Sequence, residues 1–138
     1  MTDRSVLTSA QATRFVQALL DLMVEHGLGS LEAGQAGGFL GLARPGQFVT
    51  SDLTFHFMSP AEHRSAAQAY GLPAQRVRLA TGPRTDQDIE PFVRAAGALF
   101  DAHRVQSLVF GPAGHLGFRA DGPTREFVLE GITVNAQP

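Results

Sequence analysis

The 138-residue sequence has no cysteine, no lysine and no tryptophan, and a single tyrosine, Tyr70. Each absence removes chemistry. Without cysteine there is no disulfide, thiolate nucleophile, cysteine-ligated zinc or iron–sulfur cluster, and a reducing, cytoplasmic location is the expectation. Without lysine there is neither a Schiff base for pyridoxal phosphate nor a P-loop lysine. No cofactor is expected. Charge is also scarce: charged residues make up 17% of the chain, against about 25% in ordinary soluble domains. Association of such a surface desolvates few ions, which favours a protein partner or self-association into a homo-oligomer. The formal net charge of −2 comes without any basic block, so bulk attraction to a phosphate backbone is not indicated. No apolar run approaches the length of about 18 residues that a membrane span needs, and the N-terminus lacks a signal-like pattern.

What is present reads as one α+β domain, of a length at which one hydrophobic core suffices. Ten phenylalanines and many leucines must fill it. Residues 1–7 carry no periodicity and read as flexible. Thr8 with Gln11 forms a capping-box pattern, Phe15, Leu19, Leu22 and Met23 recur at helical spacing, and Gly27 suits the left-handed C′ position. Residues 28–47 carry six glycines and Pro45 and read as a glycine-rich loop or short edge strand, with a strand at Phe39–Ala43. Phe48 to Met58 reads as one alternating strand, with Val49, Leu53, Phe55 and Phe57 inward and Thr50, Asp52, Thr54 and His56 outward. Ser59-Pro60-Ala61-Glu62 opens a short second helix that ends at Gly71 and buries little bulk.

Arg76–Thr81 reads as a further strand with Arg76 and Arg78 outward. Ile89, Phe92, Val93, Ala96, Leu99, Phe100 and His103 trace one face of a third helix, capped from Thr85, Asp86 or Asp88. Val105–Phe110, His115–Ala120 and Thr124–Val134 complete a β-meander. In the last strand the apolar phase changes at Gly131, where a bulge would return Ile132 and Val134 to the side of Phe127 and Leu129. No internal repeat is apparent. The fold class that follows is an antiparallel or mixed five- to six-stranded sheet, with two main helices on one face and a short peripheral helix.

The stretch Val77-Arg78-Leu79-Ala80-Thr81-Gly82, followed by Asp88-Ile89-Glu90 and a helix, resembles the strand–loop–helix of the small C-terminal domain of fold-type I aminotransferases over residues 62–103. The resemblance implies local structure only, because that family's catalytic lysine has no counterpart here.

Catalytic patterns are absent: there is no Gly-x-Ser-x-Gly, and neither glycine cluster precedes a helix as a phosphate loop requires. Asp86, Asp88 and Glu90 are accounted for as helix-start acids. The histidines supply the candidate site. His56 stands on the polar strand face with Asp52, about 13 Å away along the strand, and His63 can approach it from the second helix, so His56 and His63 are the candidate acid–base pair. Asp52, His56, His115 and Arg119 are the candidate ligand contacts, the last two flanking the Gly111–Gly114 turn as an anion pocket. A metal site is not expected. The leading functional expectation is a non-catalytic protein-binding or assembly module. The alternative is a small enzyme or ligand-binding protein with a pocket near His56. The third is a weak RNA binder using Arg76 and Arg78, whose charges also serve to block edge pairing.

Overall fold

In the computed structural model the described residues are 7–44, 47–69, 71–72, 89–118 and 127–137. Residues 1–6, the proposed strand at 76–81, its arginines and the cap of the third helix lie outside them. Helix α1 (Ser9–Glu25) starts at the Thr8–Gln11 capping box, in which each side chain takes the other's backbone N–H, and stops where Gly27 adopts φ 75°. Helix α2 (Pro60–Ala69) starts at a second reciprocal pair, Ser59 with Glu62. Helix α3 (Ile89–Ala102) carries the Glu90–Arg94 pair on its exposed face.

Six strands follow the order β3-β2-β5-β1-β4, with β6 on the other edge of β5. They are β1 (Leu28–Ala33), β2 (Gly38–Arg44), β3 (Gln47–Ser51), β4 (Leu53–Phe57), β5 (Val105–Phe118) and β6 (Phe127–Ala136). Every pairing is antiparallel, giving a single α+β domain with a curled sheet. The glycine-bearing segment is therefore not a loop: it supplies two strands, both internal to the sheet. Leu40 and Leu42 are buried there in strand alternation, and Leu28 and Leu31, three residues apart, are both buried because the register of β1 shifts between Leu28 and Ser30. The expected single strand 48–58 is two strands, because Asp52 takes φ 57°. The phase reverses at that residue, so Phe48 shares the helix side with Phe55 while Val49 turns the other way. The expected strands 105–110 and 115–120 are, over the described residues, one strand, β5, ending at Phe118 and paired antiparallel with β6; residues 119 and 120 lie outside the described residues.

The core lies between the sheet and helices α1 and α3. Phe15 meets Phe100 edge-on at 4.9 Å, Phe48 meets the same ring at 5.0 Å, and Phe55 meets Phe92 at 6.0 Å. α2 sits at the margin against α1 and buries only His63 and Ala67.

The register exposes a duplication. Phe15 and Phe92, His26 and His103, Ser30 and Ser107, Leu31 and Leu108, Gly34 and Gly111, and Gly37 and Gly114 are each 77 positions apart. The structure treats these as equivalents. Ser30 pairs with Gly117 and Gly41 pairs with Ser107, which is the reciprocal pattern of a two-fold axis passing between β5 and the β1–β2 segment. The helices obey the same axis, since Phe15 contacts His103 at 5.7 Å and Phe92 contacts His26 at 5.9 Å. The axis also explains both irregularities of the strands. Gly34–Gly37 and Gly111–Gly114 bulge side by side at the centre of the sheet, and on the flanking strands single residues with positive φ stand opposite them, Asp52 at 57° and Gly131 at 62°. The phase change at Gly131 thus falls where the sequence places it, with the extra residues on β5.

Candidate functional site

Helices cover one face of the sheet, and the candidate site stands on the other. Strand alternation that buries Leu31 and Leu116 toward the helices turns Glu32 and His115 away from them, and Glu32 is paired with His115 on β5 and with Thr54 on β4. His56 lies on the same open face, opposite Ser30. The Glu32 carboxylate joins the two imidazoles: Oε2 is 2.9 Å from His56 Nε2 and Oε1 is 3.2 Å from His115 Nδ1. His115 has room because its neighbour is Gly117, where an added Cβ would stand 2.8 Å from Nε2.

The hydrogen bond from His56 holds the Glu32 carboxyl below its ordinary range; partial desolvation opposes this, and the charges of His56 and the bond from His115 add to the lowering. Glu32 is therefore ionised at neutral pH and can only accept, so His56 Nε2 and His115 Nδ1 carry the protons. A carboxyl pKa depressed on folding adds stability above the unfolded value and loses it as pH falls through the folded one. A carbon-13 titration is expected to place the Glu32 midpoint below about 4.3, and His56→Asn is expected to return it most of the way.

The candidate residues separate as follows. His56 and His115 are brought together, through Glu32, which no spacing pattern singled out. His63 does not join His56: it is buried on α2, beside α1, and α1 packs on the opposite face of the sheet. Asp52 is the pivot between β3 and β4, where its carboxylate accepts from Ser51 Oγ at 3.3 Å and its carbonyl accepts from Gly34 N–H at 3.3 Å. Arg119 lies outside the described residues. Among the described residues no group of three or more His, Asp or Glu is arranged to hold a metal ion, because the imidazoles occupy different oxygens of one carboxylate.

The duplication supplies an internal comparison. The row Thr54, Glu32, His115 and Glu130 across four strands has as its two-fold counterpart Thr133, Val109, Phe39 and Ser51. His56 corresponds to Asn135, which donates from Nδ2 to Ser107 Oγ at 3.0 Å. The same backbone positions are thus served by uncharged residues in one half and by ionisable ones in the other. The fold does not require the Glu32 cluster. Val109, at the counterpart position to Glu32, is 40% exposed on this open face. No helix among the described residues is long and apolar enough to cross a membrane. Compared with family models, curated proteins and solved structures, the chain has no significant match.

Proposed function

We propose that the chain is a non-catalytic binding module that docks a protein on the open face of its sheet. The observation that carries this reading is the composition of that face, with an ionisable row in one half and exposed Val109 beside half-buried Phe39 in the other. An apolar contact flanked by a polar anchor is the usual anatomy of a protein interface. The Glu32 and His56 side chains are 49% and 48% exposed, which leaves them accessible to a docking partner. The cysteine-free chain suits a reducing, cytoplasmic setting.

That same absence makes the test clean. A photocrosslinker attached to Val109→Cys is the only thiol adduct the chain can carry. Irradiation in an extract of the native cell is expected to give a discrete adduct that disappears with a second change, Phe39→Glu; an adduct at twice the chain mass identifies a second copy as the occupant. The control label at Gln17→Cys, on the exposed side of α1, is expected to give none. Equal adducts from both positions, or none from Val109→Cys, would overturn the reading.

A further inference from the structure

We draw no further inference here: the strongest candidate, the apolar patch of Phe39 and Val109 on the open face of the sheet, belongs to the docking face already described, and nothing in the structure shows what covers it.

Discussion

Phe100→Ala is expected to lower the stability of the domain by about 3–5 kcal/mol, moving the thermal midpoint down by roughly 10–17 °C for a chain of this length. The ring is fully buried and receives edge contacts from Phe15 on α1 and Phe48 on β3. It therefore ties both main helices and one edge of the sheet to a common point. Removing it leaves a cavity bounded by three separate elements, none of which can move in without leaving its other contacts. Urea unfolding checks this: the midpoint should fall with an unchanged slope, and Phe100→Leu should restore a large part of the loss. A cost below about 1 kcal/mol would mean that the helices are held by contacts other than this aromatic cluster.

The second large effect is expected from a single methyl group. At Gly41 an added Cβ would lie 2.5 Å from the Gln106 carbonyl oxygen and 2.6 Å from Ser107 Cα. Those are backbone atoms of the central strand and cannot rotate aside, so Gly41→Ala is expected to cost about 3 kcal/mol or more. Gly117 faces Ser30 through the equivalent pairing, with an added Cβ 2.7 Å from Ser30 Cβ and 2.9 Å from the Gly29 carbonyl oxygen. Gly117→Ala should therefore cost a similar amount. Gly34 has nothing within 4 Å of an added Cβ, and Gly34→Ala should fall within about 0.5 kcal/mol of the parent. Denaturant midpoints of the three variants provide the check. If Gly41→Ala and Gly34→Ala behaved alike, the close approach of the central strands would be wrong, and with it the two-fold pairing.

The helices were legible in the sequence because their signals are local. Thr8 and Gln11, Ser59 and Glu62, and the stripe through Phe92, Ala96 and Phe100 each specify their structure within a few residues. The sheet was only partly legible. Gly38-Phe39-Leu40-Gly41-Leu42 looks like a breaker-rich loop when read by composition, yet the glycine at position 41 is there because Ser107, far along the chain, comes close against it. Only the register carries that information. The reversal at Asp52 was invisible for a different reason: an aspartate inside a clean alternation gives no sign of a left-handed backbone, whereas Gly131 at the equivalent place did.

The candidate site depended on the same long-range pairing. His56 and His115 stand out as residue types, but Glu32 lies in a stretch whose composition reads as a loop, and only the pairing of β1 with β4 and β5 brings it beside them. The duplication was hidden because its identities are scattered among glycine, alanine, serine and leucine. The offset also slips from 77 between Gly37 and Gly114 to 76 between Leu40 and Leu116.

The paired bulges draw a crease straight across the sheet. Along it Gly34 acts as the knot, its carbonyl accepting from both Gly37 and Ala113 while its N–H donates to Asp52. The charged row lies to one side of this line and the Phe39–Val109 row to the other. A small flex about the crease would change the separation of the two rows while leaving each lobe stiff, so a ligand gripping both would act as a splint across the fold line.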